Sequence, residues 1–550
     1  MKHIVLIILI VIGTIGCAQK DKAVEGEISN DFSFNWKAAN IYFLLTDRFN
    51  NSDSTNDVNF DRTLETGKLR GFEGGDLKGI TQKIESGYFT ELGVNAIWMT
   101  PVVEQIHGGT DEGTGLTYGY HGYWTKDWTK IDPNYGTEED LKDLVETAHK
   151  NGIRILLDAV INHTGPVTTK DPVWPGEWVR TEPQCKYNSY ESTISCTLVK
   201  NLPDIKTESN EAVDLPPQLI EKWKAEGRLE QEVSELDAYF KRTGHPRAPR
   251  FYIMKWLTDY ITDYGIDGYR VDTVKHTEEF VWQEFKAECD YAFEQWKLSN
   301  PEAVLDANEF YLVGEVYNYG ISTGKLFDFG DKKVDYFDNA FTSLINFEFK
   351  WNSKEKGYEQ IFKRYSNILN TKLKGFGTLN YLTSHDDGQP FDPKREKSIE
   401  AANKLLLSPG ASQVYYGDES NRPLVIDEAV GDANLRSNMN WVDIEIHKDI
   451  LEHWQKLGQF RSQHPAIGAG MHELISKNPY VFSRTYSSND KIDLVVIGLE
   501  LDKGKKTIDV SQQFKNGAII RDAYSNQIAT VKDGKVIIDS KYDIVLLEQN

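Results

Sequence analysis

Between residues 41 and about 420, short apolar runs alternate with helical stretches, and this alternation limits the possible fold more than any other feature of the chain. The runs read IYFLL (41–45), VNAIW (94–98), IRILLD (153–158), IDGYRVD (266–272), FYLVGE (310–315), GTLNYLT (377–383) and SQVYY (412–416). A typical intervening stretch is TEEDLKDLVETAHKNG, opened by Thr137 as N-cap and closed by Gly152 just past its end. Strand followed by helix, repeated, argues for a parallel sheet, and seven or more repeats close naturally into a (β/α)8 TIM barrel. The eighth strand is expected near VDYFDNAF (334–341). Residues 164–205 break the rhythm: they are rich in Pro, Thr and Trp, lack a helical period and follow the third strand, so they read as an inserted domain. From NPYVFSRTY (478–486) onward the pattern alternates at period two, which predicts an all-β C-terminal domain.

The first residues do not belong to that pattern. MKHIVLIILIVIGTIGCAQKDK has a basic start, an apolar run over 4–15 and small residues after it, as an export signal does. The run is too short to span a bilayer comfortably, and no other segment is apolar enough to cross one. Thr14-Ile15-Gly16-Cys17 resembles a bacterial lipobox, with an atypical threonine at its first position. That resemblance implies a lipoprotein signal peptide over 1–16, lipidation of Cys17 and a tether over 17–34. It places the protein at the outer membrane or cell surface, with the periplasm as alternative, and limits membrane contact to the lipid anchor. In an exported chain Cys185 and Cys196 either close a short loop by disulfide or remain two free thiols, while Cys289 falls in a helical pattern as a buried small residue. With 62 Lys and Arg against 84 Asp and Glu, the formal charge of −22 argues against nucleic acid as a partner.

Charged residues gather where strands end. Arg270 and Asp272 lie two apart in a strand and share a face, which suits either a structural ion pair or a nucleophile kept ionised. Asp158 ends the third strand, Asp272 the fourth and Glu315 the fifth, and SHDD (384–387) ends a later one. In such a barrel these ends form one rim. Clustering several carboxylates is costly, so together they indicate a paired-carboxylate site of the kind used on glycosidic bonds.

These segments resemble the α-amylase family of glycoside hydrolases. DAVINH (158–163), GYRVDTVKH (268–276), GEVYN (314–318) and SHDD (384–387) are similar to its four hallmark segments in order and spacing. GVNAIWMTP (93–101), YHGYW (120–124) and LPDI (202–205) resemble further family segments, and the resemblance covers roughly residues 35–550, most like exported bacterial members. It implies a barrel over 35–163 and 206–460, a B domain over 164–205 inserted after strand three, and a C-terminal antiparallel β-sandwich over 461–550. It also implies roles. Asp272 would be the nucleophile, Glu315 the general acid/base and Asp386 the stabiliser of the transition state. Tyr123 would be the stacking platform, His121, His163 and His385 hydroxyl donors, and Asp158 the partner holding Arg270. Lys275 and His276 would face the leaving-group side, and Asp432 with Arg436 would grip the sugar at the cleavage site. For Lys275 and Asp432 a plain surface role remains the alternative.

The same resemblance implies calcium. Asn162, Asp204 and the His276 carbonyl match a family site between barrel and B domain, where hard oxygen donors suit Ca²⁺. Asn51, Asp53, Asn56, Asp57, the Gly74 carbonyl and Asp76 resemble a second calcium loop, with a polar turn that binds nothing as the alternative. Ser384 stands where many members have Asn, which argues against a chloride-activated subtype, and Lys206 follows LPDI where an acid is common. The stretch 210–245 either shapes the leaving-group side or packs on the barrel, and Trp174 and Trp178 are either sugar platforms or packing. The function implied is retaining, endo-acting hydrolysis of α-1,4-glucosidic bonds in an α-glucan. A glucosidase, cyclodextrin-degrading or transglycosylating relative is the near alternative, and a non-catalytic glycan-binding lipoprotein the distant one.

Overall fold

The computed structural model describes residues 27–29 and 31–550. The expected signal peptide, Cys17 and most of the expected tether lie outside the described residues. Eight parallel strands form a closed barrel: β1 (Asn40–Leu44), β2 (Ala96–Met99), β3 (Arg154–Ala159), β4 (Gly268–Val271), β5 (Tyr311–Gly314), β6 (Ser343–Asn346), β7 (Gly377–Tyr381) and β8 (Ala411–Tyr415). Every residue of the eight is buried, as expected of a sheet closed on itself and covered by helices. The helix Glu138–Lys150 begins where the sequence places it, with a reciprocal capping box between Thr137 and Asp140.

The expectation for the eighth strand is corrected. Residues 334–341 hold the end of a small hairpin, Leu326–Asp328 against Lys333–Asp335, and a one-turn helix Tyr336–Asn339. Asp335 Oδ1 accepts from the amides of Phe337 and Asp338, which starts that helix and turns Tyr336 and Phe337 into the core. The barrel strand is the next run, Ser343–Asn346. Its polar ends disguised it: Asn346 is fully buried and its Nδ2 donates to Asn380 Oδ1 on β7 at 2.8 Å.

The insertion after β3 contains a minimal antiparallel pair, Val179–Arg180 with Asp204–Ile205, and a disulfide joining Cys185 to Cys196; Cys289 is free and buried. Trp174 and Trp178 are packing residues. Both are buried, and Trp178 stacks parallel to Trp256 on the barrel's outer helix Pro249–Tyr264. The helices Pro217–Ala225 and Leu229–Thr243 also pack on the flank, where Lys222 and Arg228 converge on the buried carboxylate of Asp127 at 3.0 and 2.7 Å. Among the described residues no helix is long and apolar enough to cross a membrane.

The C-terminal domain is the expected β-sandwich. An antiparallel sheet built on Tyr480–Ser488, Lys491–Leu499 and Val545–Gln549 faces the pair Gly504–Asp509 and Lys535–Ser540. Val496, Ile508, Phe514, Val536, Ile538 and Leu547 fill the space between them. Glu27–Ile28 adds a parallel strand beside Lys491–Ile492, so the ordered fold reaches back into the stretch read as a tether. His464 links barrel and sandwich, with Nδ1 2.7 Å from Asp493 and Nε2 2.6 Å from Glu548.

Candidate active site

The C-terminal ends of β3, β4, β5 and β7 bring their acids to one rim, and a single arginine organises three of them. In the β3–β4 register Asp158 lies opposite Arg270, and in the β4–β5 register Arg270 lies opposite Val313, two residues before Glu315. Asp272 and Glu315 continue the ladder one residue past their strands, through Asp272 N to Ala159 O and Glu315 N to Val271 O. The buried guanidinium of Arg270 then donates Nη1 to Asp158 at 2.9 and 3.1 Å and to Asp272 Oδ1 at 2.6 Å. Its Nη2 lies 2.9 Å from Glu315 Oε2.

The three carboxyls differ in surroundings. Asp158 is sealed: Tyr123 Oη and Trp98 Nε1 donate to its Oδ2 at 2.8 and 3.2 Å, and its side chain has no exposure. Burial pushes it up to about 7 against the pull of Arg270, so it acts as an anchor for the arginine. Glu315 is pushed up to about 8, first by burial and then by the charges of Asp272 and Asp386, with Arg270 opposing. That direction favours its protonated form at neutral pH. Asp386, on the loop after β7, opens onto the cleft with its side chain 41% exposed. Burial pushes its carboxyl up, but His385, Arg270 and Arg436 outweigh that and hold it below the usual carboxylate range. One protonated and one ionisable carboxyl on a shared guanidinium can donate a proton to a leaving oxygen from one side and offer negative charge to an electrophilic carbon from the other.

Residues 43–440 match the family model described as the α-amylase catalytic domain. The chain belongs to the α-amylase family of glycoside hydrolases. It is 35% identical over 533 residues to the periplasmic α-amylase of Escherichia coli (strain K12), covering 86% of this chain and 74% of that one. It is 27% identical to a cyclomaltodextrin glucanotransferase of Bacillus sp. (strain 1011) over 85% of this chain, and spans 60% of that relative's length. The crystal structure of an Anoxybacillus α-amylase superposes with a TM-score of 0.64 at 24% identity, covering 94% of this chain and 99% of the other.

Around the acids, this α-amylase-family site is lined by neutral imidazoles. Burial lowers His121, His163 and His385, the last to about 4. Tyr123 stacks on His385 with centroids 5.3 Å apart, and His121 Nδ1 accepts from the Tyr123 amide at 3.1 Å. His163 is turned inward, its Nε2 3.2 Å from the Tyr123 carbonyl, so it braces the Tyr123 backbone. His276 Nδ1 meets the Thr193 carbonyl at 3.0 Å, tying the disulfide-closed loop to the rim. Lys275 stands among the rings of Tyr317, Tyr187 and Phe327, 5.1 to 5.8 Å from their centroids. Asp432 is not a free surface acid: it bridges Arg436 Nη2 at 2.8 Å and Arg70 Nη2 at 2.7 Å, while Arg436 Nε donates to the His385 carbonyl at 2.9 Å. Arg70 and Trp98 escaped the sequence reading. Trp98 lies in the quoted GVNAIWMTP, a strand-end indole that could have been placed, whereas nothing marks Arg70 in its loop.

The two expected cation sets fare differently. Asp204 is buried, neither of its oxygens has a hydrogen-bond partner, and Arg180 Nε lies 2.9 Å away out of alignment for one. Burial and then the charges of Glu278 and Glu208 drive its carboxyl well above the usual range against Arg180's pull. Asn162 lies beside it, and its Oδ1 accepts from Thr277 Oγ1 at 3.5 Å. A buried carboxylate with hydrogen-bonding capacity to spare and an amide oxygen beside it fits a hard cation. Among the described residues no group of three or more acidic, His or Cys side chains could hold a metal, so such a cation would lean on amide and carbonyl oxygens. The loop set is split. Asn51 donates to Asp57 at 2.9 Å over Gly74, where a Cβ would fall 2.4 Å from Asn51 Nδ2. Asn56 Oδ1 is buried without a partner. Asp53, however, is taken by Lys78 at 2.6 Å, and Asp76 caps the helix Leu77–Glu85 and accepts from the Ser52 and Asp53 amides.

Proposed function

We propose that this enzyme hydrolyses α-1,4-glucosidic bonds within starch, glycogen or maltooligosaccharides, with retention of configuration. The observation that carries the reading is the shared guanidinium: Asp272 and Glu315 sit on the two Nη atoms of Arg270, with Glu315 pushed up to about 8. That arrangement favours the roughly 5–5.5 Å carboxyl separation of a double displacement over the wider gap an inverting enzyme needs for its water. Glu315 would protonate the glycosidic oxygen while Asp272 Oδ attacks the anomeric carbon, forming a glycosyl ester. Glu315, now ionised, would take a proton from water as that water displaces Asp272. Asp386 would accept hydrogen bonds from the sugar hydroxyls, and the neutral His121 and His385 would donate to them. Proton NMR of the products released from maltoheptaose tests this directly. The α-anomer first, in mid-chain fragments, supports it; β-anomer first overturns it.

Transglycosylation is the second reading, and the ring cluster of Tyr187, Tyr317 and Phe327 around Lys275 favours it as a platform for an acceptor sugar. Cyclic or lengthened products would select it. A calcium ion held by Asn162, Asp204 and the His276 carbonyl would pin the inserted domain to the rim as a structural element. Export is supported by the N-terminal pattern, by the Cys185–Cys196 disulfide and by similarity to a protein named as periplasmic. Lipid anchoring through Cys17 remains part of this proposal.

A further inference from the structure

We propose that Lys350 and Asp387 are positioning residues for Asp386, a buried ion pair that fixes the height at which the Asp386 carboxyl enters the cleft. The inference rests on the reading above, in which Asp386 contacts substrate.

Asp386 has few holds of its own. Ser384 Oγ donates to it at 3.3 Å and His385 Nδ1 lies 3.8 Å away. Its neighbours are held much harder. Asp387 Oδ2 accepts from Tyr381 Oη at 2.7 Å and pairs with the ammonium of Lys350. The side chains of Asp387 and Lys350 are 14% and 5% exposed. On the other side, Arg436 grips the His385 carbonyl. The 385–387 segment is thus clamped at both ends, with Asp386 at its centre.

The local fold explains why a lysine can reach this point. β6 ends at Asn346 and the helix Glu348–Glu355 starts two residues later, so its first turn stands at rim height. β6 pairs with β7, so that turn lies beside the loop carrying residues 384–387. Burying an ammonium is unfavourable unless a carboxylate compensates it, and among the described ion pairs Asp387 is the acid that does so. A pair of this kind has a defined geometry, unlike a solvated pair that exchanges partners. It also neutralises a second negative charge directly beside Asp386, which would otherwise push that side chain aside.

The test compares Lys350→Met, Lys350→Arg, Asp387→Asn and Asp386→Asn in the full chain. Turnover is followed on maltoheptaose and on a nitrophenyl maltooligosaccharide, with thermal unfolding of each variant. Misplacement of a reacting group by about 1 Å costs up to a hundredfold, so Lys350→Met is expected to lower kcat on both substrates by about 10- to 100-fold. KM for maltoheptaose should stay within about threefold and the melting temperature within a few degrees. Lys350→Arg should recover most of kcat, and Asp387→Asn should fall with Lys350→Met. If Lys350→Met does not fold, Asp387→Asn, which keeps the Tyr381 contact, carries the same prediction. Wild-type kcat per folded molecule in Lys350→Met or Asp387→Asn, beside an inactive Asp386→Asn, overturns the inference alone. An active Asp386→Asn overturns the inference together with the functional reading beneath it.

Discussion

Replacing Glu315 by Gln isolates the consequence of holding a carboxylic acid protonated inside the site. The folded-state value of about 8 stands above the ordinary 4.5. Between those values the folded protein keeps a proton that the unfolded chain has lost, so stability falls as pH rises through the window. At 1.36 kcal/mol per unit, the full window corresponds to about 5 kcal/mol. Asp272 and Asp386 readjust when the neighbouring charge disappears, so roughly 2–5 kcal/mol is expected as the gain of Glu315→Gln over wild type between pH 5 and 9. Gln keeps an oxygen for Arg270 Nη2 and the Thr273 amide, so little else changes. For a domain of this size each kcal/mol is worth on the order of 1–2 °C. Melting curves at pH 5, 6, 7, 8 and 9 should therefore show the variant drawing ahead by several degrees, mostly above pH 6. The same proton sets the alkaline limb of wild-type kcat/KM, which should break near pH 8, while the variant, about 10²- to 10⁴-fold slower, shows no such break. A melting-temperature difference that is flat from pH 5 to 9, or a wild-type alkaline limb below pH 6, would refute the assignment of the proton to Glu315.

Asp272→Asn should cut hydrolysis by several orders of magnitude while maltooligosaccharide binding, measured calorimetrically, persists; more than about a tenth of wild-type turnover, roughly 1.4 kcal/mol of barrier, would mean that another group attacks the sugar. A chelator should lower the melting temperature and added Ca²⁺ should restore it, with Asp204→Asn blunting both shifts; identical curves with and without chelator would count against a cation at Asn162 and Asp204. His464 is raised to about 9 because its bonds to Asp493 and Glu548 outweigh burial. The stability it contributes is therefore complete below about pH 6.5 and is lost as pH rises through 9. His464→Gln should destabilise by about 3 kcal/mol at neutral pH and by much less at pH 10, read as the gap between the two melting curves.

Seven of the eight barrel strands could be read in the sequence because each carries at least three apolar residues in a short run, whereas β6 has only Leu344 and Ile345 between Ser343 and Asn346. β6 could not, since its buried Asn346 is satisfied by Asn380 across a strand pair, a contact that local patterning does not reveal. The acids of the rim were legible for a related reason: Asp158, Asp272 and Glu315 each stand at the end of such a run, where an ionisable group is conspicuous. Arg70 and Lys350 were not, because they reach the rim from a loop and a helix whose own sequences look like ordinary charged surface. Local reading also left out the partners of the 50–57 loop. Six oxygen donors from two segments, 50–57 and 74–76, resembled one calcium loop, and in the structure Lys78 and the backbone amides of residues 52, 53 and 79 bond two of the six.

The strand Glu27–Ile28 fixes where a leash would be fastened. If Cys17 is lipidated, nine residues lie between it and Glu27, the first point among the described residues at which the chain is stitched into the sandwich, and those ten Cα steps fully extended reach at most about 35 Å. The end of the sandwich where residue 27 meets Lys491 would then ride within that distance of the lipid surface, and the enzyme could swivel about this point without drifting from it.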